Sequence, residues 1–383
     1  MRVVSLYMIY NKIKSMRIIF FSIVALFFSE NIYGQGCCSG GSGSPIAGGA
    51  SQGVLLDRQM EISSNFQYIS SDQFKAKNKD TAKLFDNYNS KYIYTKIAYG
   101  VTKDLTVSIE SGYFVNKTQI GFNKIDTLHS SGVGDLIIFP RYDILNRTTE
   151  SKRVEITLGL GYKIPIGKYN DSTLVYSNPI TGQKTFTTLP PLVQPTNGSQ
   201  DIIFYAFFFR GFPKNNFRIF ANTLYIKKGW NSLGEKFGDY ASIGVFAGKT
   251  FFKKLGVTFQ IKGETVGRMQ FDKNIDMLAL YNVDVKSTGN KKISFVPQVS
   301  YSYKSFTVFA LGEFPLYEYV YGVQVSAQHQ FTAGVSYRFF TYKSLIPANG
   351  EAVYVCPMNC EGSQSSTPDK CKICGMELVK KKN

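Results

Sequence analysis

Four cysteines, Cys356, Cys360, Cys371 and Cys374, stand close together near the C-terminus in the pattern Cys-x3-Cys-x10-Cys-x2-Cys. Two cysteines on one tight turn present two thiolates to a single ion, and two such pairs complete a tetrahedral set. Four thiolates fit Zn(II) best, while thiolates joined by the thioethers of Met358 and Met376 suit Cu(I) or Ag(I). Gly375, directly after Cys374, lets the second turn take a positive φ. Two plainer uses compete. One is a zinc ion that only folds a segment too small to own a core. The other is disulfide formation, which an oxidising compartment permits. At this spacing the pairs make better clamps than staples. The remaining cysteines, Cys37 and Cys38, are adjacent in a Gly/Ser-rich run and pair with each other poorly. Soft-metal binding, pairing with another chain and no use at all stay open for them.

The segment reads Tyr354-Val355-Cys356-Pro357-Met358-Asn359-Cys360, then Cys371-Lys372-Ile373-Cys374-Gly375-Met376-Glu377-Leu378. It resembles the short heavy-metal-binding domain carried by copper and silver efflux proteins and by metal-pumping ATPases. That family reads Tyr-x-Cys-Pro-Met-His-Pro, then Cys-Pro-x-Cys-Gly-Met-x-Leu. Asn359 and Cys360 stand where the family has His-Pro, so a histidine ligand is exchanged for a cysteine and four ligands remain. The resemblance implies a bound heavy-metal ion, Zn(II) or Cu(I), and a periplasmic efflux or metal-delivery protein as partner.

The elements that must carry this module are strands. The body, 57–340, shows period-two alternation with no sustained helical period. Leu105, Val107 and Ile109 share one face, and Thr106, Ser108 and Glu110 the other. Val154, Ile156, Leu158, Leu160 and Tyr162 alternate with Glu155, Thr157, Gly159, Gly161 and Lys163. The runs 255–264 and 331–339 behave alike. A soluble sandwich strand is usually about 5–6 residues long, whereas a strand that crosses an outer membrane needs roughly 9–11. The fold class expected is all-β, an antiparallel up-and-down transmembrane β-barrel. Its strands are expected at 59–70, 92–99, 105–115, 136–143, 153–164, 201–210, 217–226, 239–251, 255–266, 292–303, 306–316 and 331–340.

The connections run long, short, long, short. Long ones are expected at 71–91, 116–135, 165–200, 227–238, 267–291 and 317–330, and short ones at 100–104, 144–152, 211–216, 252–254 and 304–305. Barrels of the outer membrane have long outer loops and short periplasmic turns, which puts both termini in the periplasm. Tyr99, Tyr113, Tyr142, Tyr162, Tyr301, Tyr303, Phe339 and Phe340 fit interfacial girdles. The lumen should be polar, lined by Glu110, Glu155, Lys163, Gln260, Lys262, Glu264 and Arg338, with internal ion pairing favoured over solute selection.

The N-terminal 36 residues have a basic flank, Lys12, Lys14 and Arg17, and an apolar core at 18–28. That core is short of the roughly 20 residues of a membrane helix and reads as a signal peptide, with Met16 as an alternative start. The domains are then 1–36 signal, 37–56 Gly/Ser/Cys-rich segment, 57–340 barrel, 341–351 linker and 352–383 metal-binding module. The net charge of +17 suits anionic lipid headgroups or solvated loops; an exported protein meets no nucleic acid. His129 and His329 have no partner pattern. No Ser/His/Asp constellation or nucleophile elbow points to an enzyme.

Gly132-Val133-Gly134-Asp135, leading into Leu136, and the closing Gly334-Val335-Ser336-Tyr337-Arg338-Phe339 resemble outer-membrane transporter-like barrels related to a phenol-degradation-pathway protein. The Cys-Cys-Ser-Gly-Gly start resembles the Bacteroidota type. These resemblances imply an outer-membrane location. Three functions stand as expectations: a barrel that handles or transports copper, zinc or silver through its tail, a passive channel for small hydrophobic or aromatic compounds with a structural zinc module, or a structural protein of the envelope without a conducting lumen.

Overall fold

The computed structural model describes residues 53–124, 127–149, 152–252, 254–274, 284–303 and 305–341, together with 354, 355, 365, 369 and 378–380 of the C-terminal module. The signal segment, Cys37, Cys38 and the 342–351 part of the linker lie outside the described residues, as do all six expected metal ligands.

Twelve strands close into an antiparallel barrel. They are β1 (Gln59–Ser71), β2 (Asn87–Gly100), β3 (Leu105–Ile120), β4 (Leu136–Thr148), β5 (Arg153–Ile164) and β6 (Asp201–Phe212), then β7 (Phe217–Lys227), β8 (Tyr240–Phe251), β9 (Leu255–Val266), β10 (Asn290–Tyr303), β11 (Phe306–Val325) and β12 (His329–Phe340). Each pairs with its neighbours in sequence, and β12 returns to β1 with Gln59 opposite Phe340 and Ser70 opposite His329. Closure matters because a lipid-facing edge would leave backbone groups without partners.

The alternation sorts side chains as expected. On β1, Ile62 and Phe66 face outward, while Glu61, Ser63, Asn65 and Gln67 are buried inside. Tyr99, Tyr142, Tyr162, Tyr301 and Tyr303 are exposed on the outer wall. Two prolines interrupt the ladders. The β4–β5 pairing passes from Ile138 to Arg141 without Phe139 and Pro140, and the β10–β11 pairing skips Val296 and Pro297. Proline brings no N–H to a ladder.

One end of the barrel, the turn end, carries the short connections 101–104, 149–152, 213–216, 252–254 and 304–305. Asn216 (φ 50°) and Phe252 (φ 51°) take the left-handed conformation that tight reversals need. The other, the loop end, carries 72–86, 121–135, 165–200, 228–239 and 267–289. One expectation fails here. The long loop at 317–330 is mostly strand: β11 continues to Val325, and only 326–328 connects it to β12. Pro315 sits at a register shift in the β10–β11 pairing, and beyond it β11 finds a new partner in Phe74–Lys77, which pairs in turn with Lys79–Thr81. β3 likewise continues to Ile120 by pairing with Leu128–Val133.

Both ends are filled. At the loop end, Leu189, Leu192 and Val193 fold inward onto Ile69, Phe74, Tyr88 and Val325. The Ser130 hydroxyl and the Lys117 ammonium donate to the carbonyls of Val193 and Gln194. At the turn end, the segment before β1 enters the lumen. Leu55 is buried, its N–H donates to Thr106 Oγ1 at 2.8 Å, and Gly53 lies so close to Glu155 and Phe207 that no side chain fits there. After β12, the N–H and hydroxyl of Thr341 both donate to the Arg58 carbonyl at 3.1 Å.

Candidate functional site

The lumen has two unlike halves. β4 and β6 to β9 line one with apolar groups, including Phe139, Ile203, Tyr205, Phe207, Leu224 and Tyr240. Phe220 stacks on Phe246 at 4.3 Å between centroids and approaches Phe207 at 6.0 Å, and Phe139 meets Tyr205 edge-on at 5.7 Å. Gly159 and Gly161 make room for the Phe139 ring: a Cβ on Gly161 would stand 2.7 Å from it. The uniformly polar lumen expected from sequence is therefore corrected. β6 reads Ile-Ile-Phe-Tyr-Ala-Phe-Phe-Phe over 202–209, apolar on both faces, and such a run marks a strand with apolar surroundings on each side.

The other half, chiefly β9 to β12 and β1 to β3, is richer in charge, although Tyr92, Tyr94 and Phe114 form a small aromatic cluster within it. Lys262, Glu264, Lys292 and Glu313 form a closed ring of alternating charge. Its edges are 2.8 Å (Lys262–Glu264), 2.8 Å (Glu264–Lys292), 2.7 Å (Lys292–Glu313) and 2.8 Å (Glu313–Lys262). Glu61 is held by Lys96 at 2.8 Å and by Arg338 at 2.5 Å. Glu110 accepts from the hydroxyls of Tyr94 and Ser108, and Glu155 pairs with Arg153 at 2.8 Å. Toward the loop end, Lys163 bridges Asp135 at 2.6 Å and Asp201 at 3.0 Å, and Lys228 reaches Asp201 at 3.0 Å. Burial pushes the Lys228 ammonium below its ordinary range, and Asp201 opposes that shift. Unpaired charges in such a setting would carry a desolvation cost of several kcal/mol each, roughly; pairing removes it.

The seven residues expected in the lumen, Glu110, Glu155, Lys163, Gln260, Lys262, Glu264 and Arg338, all lie on inward faces of their strands. Sequence reasoning missed Glu61, Lys96, Lys292 and Glu313, although the same parity rule marks them: Glu61 shares its face with Ser63, Asn65 and Gln67. Among the described residues, no three His, Cys, Asp or Glu side chains group to hold a metal ion.

In the C-terminal module, Tyr354–Val355 pairs antiparallel with Val379–Lys380, Tyr354 bridges Ser365, and the Leu378 N–H donates to the Asp369 carbonyl at 2.7 Å. This frame joins the chain that runs into Cys356 to the chain that runs out of Met376. Residues 353–381 match the heavy metal binding domain. The matched stretch contains four thiols and two thioethers, a donor set that fits a soft metal ion. No curated protein sequence matches the chain.

The barrel is similar to the COG4313 outer membrane channel from Pseudomonas putida F1. The identity is 11%, the TM-score 0.58, and the match covers 76% of this chain and 99% of that one. It also matches a Pseudomonas aeruginosa FadL homologue (7% identity, TM-score 0.39, 80% of this chain and 99% of that one). A third match is the P. putida toluene transporter TodX (9%, TM-score 0.37, 76% and 91%). The first of these likenesses shows the fold, that of an outer-membrane β-barrel.

Proposed function

We propose that the barrel passes small apolar or aromatic molecules across the outer membrane, and that its C-terminal module binds a soft metal ion at the periplasmic mouth. The aromatic half of the lumen carries the first part. The Phe246–Phe220 stack, met by the tilted ring of Phe207, offers an apolar solute a surface of its own chemistry. The opposite wall holds Lys262, Glu264, Lys292, Glu313, Glu61, Lys96 and Arg338 in ion pairs, so these charges are already matched when a metal ion arrives. The short turns and both ends of the barrel sequence share one end, and the loop asymmetry of such barrels supports a periplasmic position for it. Within the module, Cys356, Cys360, Cys371 and Cys374 are the ligands, with Met358 and Met376 as candidates for Cu(I).

A second reading, in which the barrel itself handles copper, zinc or silver, is favoured by the union of module and barrel in one chain. One experiment separates the two. A strain lacking the protein is compared with the same strain complemented by the wild type or by Cys356→Ser/Cys371→Ser. The proposal expects slower uptake of a labelled monoaromatic compound in the deletion strain, restored equally by both genes, with tolerance to copper, silver and zinc unchanged. Unchanged uptake with lost metal tolerance would replace it with the second reading.

A further inference from the structure

The outer wall carries a feature that the lumen does not use. On its lipid-facing side, β4 to β8 enclose a groove of about 780 Å³. Its floor is made of small residues. Ala206 lies opposite Leu158 on one side and Thr223 on the other, and Ala241 lies opposite Tyr225. Its walls are Tyr142, Leu158, Leu160 and Phe204, all exposed on the outer face. Below the groove toward the turn end, the surface stays apolar through Phe208, which faces Ile156 and Ala221.

Then the chemistry changes. Arg147 and Arg210 lie opposite the same residue, Val154, from its two sides. Their backbones are therefore two strand spacings, about 10 Å, apart, within the convergent reach of two guanidinium groups. Lys249 follows on β8, opposite Phe217. All three cations are exposed, and none takes part in an ion pair among the described residues. Arg210 lies over the Phe212 ring at 5.3 Å and Lys249 over Phe251 at 5.6 Å, so aromatic side chains of the girdle hold two of the cations at interfacial depth.

We infer that this wall is a binding site for an anionic phospholipid of the turn-end leaflet, with its phosphate between Arg147 and Arg210 and an acyl chain in the groove above. Guanidinium groups grip phosphate oxygens in bidentate fashion. Arg210 lies four positions beyond Ala206 on β6, about 13 Å at the rise of a strand, and an acyl chain spans that distance. The lipid-facing groove and the interfacial cations together exclude other occupants: free phosphate would reach the rim alone, and a soluble protein could not reach the groove.

The full-length protein in mild detergent is offered equal amounts of phosphatidylglycerol and phosphatidylcholine with identical chains, and retained lipid is counted by native mass spectrometry. Phosphatidylglycerol should be retained about tenfold over phosphatidylcholine, as expected when two interfacial arginines each add a modest attraction. Arg147→Gln/Arg210→Gln should abolish that preference. Ala206→Phe, which fills the groove and leaves the rim intact, should lower retention of phosphatidylglycerol severalfold. Inorganic phosphate should not displace the lipid. Equal retention of both lipids by the wild type overturns the site, as does a preference that survives the double arginine variant. Retention unaffected by Ala206→Phe, or lipid displaced by phosphate, overturns the placement of the chain in the groove.

Discussion

At the scale of single residues, the lumen shows how a membrane barrel can bury charge inside its wall. Lys292, 1% exposed, touches both Glu264 and Glu313, and Lys262 touches the same two carboxylates from the other side. Removing one member leaves two ions of one sign sharing a single partner. Glu313→Gln is therefore expected to cost about 3–5 kcal/mol, the range for a broken buried pair. A lower temperature of conversion from the folded to the unfolded band on electrophoresis would show it, and Lys292→Met in the same chain should restore part of the loss. A conversion temperature unmoved by Glu313→Gln would mean that water reaches the ring freely. The ring was half legible in the sequence. Lys262 and Glu264 stand two apart on one alternating strand, whereas Lys292 and Glu313 meet them only through the β9–β10–β11 register, which no local pattern encodes. The cysteine module was legible for the opposite reason: its spacing is short-range chemistry and needs no register.

At the scale of elements, the strands were legible wherever their two faces differ. β5 and β9 begin and end where alternation does. β3 and β11 ran on past their expected ends because a second, shorter partner strand met them at the loop end. Alternation shows that a residue can sit in a strand, not how far a neighbour will accompany it. Strand β6 hid the aromatic lumen, since a run apolar on both faces does not say which side is lipid. The inward-folded loop was also invisible. Pro190 and Pro191 mark a turn, but nothing local tells that Leu189 and Val193 end up 2% and 0% exposed beneath the mouth. Burying two such side chains contributes about 1.5–3 kcal/mol each, enough to hold the cap closed. Deleting 189–194 should raise single-channel conductance in planar bilayers several-fold with the fold intact. Unchanged conductance would place the constriction at the turn end, where Leu55 and Gly53 enter.

At the scale of the whole molecule, the barrel closes through its own hydrogen-bond ladder, while the described residues of the module pair in one short two-stranded ladder and its sequence carries a donor set for metal. The two should respond separately to metal removal. Chelation of the full chain is expected to strip about one ion per module and to expose the thiols to alkylation, while the barrel's unfolding temperature stays the same. A barrel that loosens on chelation would show that the module braces it. The pair of bonds from Thr341 to the Arg58 carbonyl has a consequence for how such a chain can be rewired. Where the barrel sequence begins and where it ends meet at one peptide group, so the ring of strands is very nearly a covalent circle. Joining the chain there and cutting it in a loop-end connection would leave the twelve-strand ladder closed. Tails grafted onto the new termini would then leave from the loop end instead of the turn end.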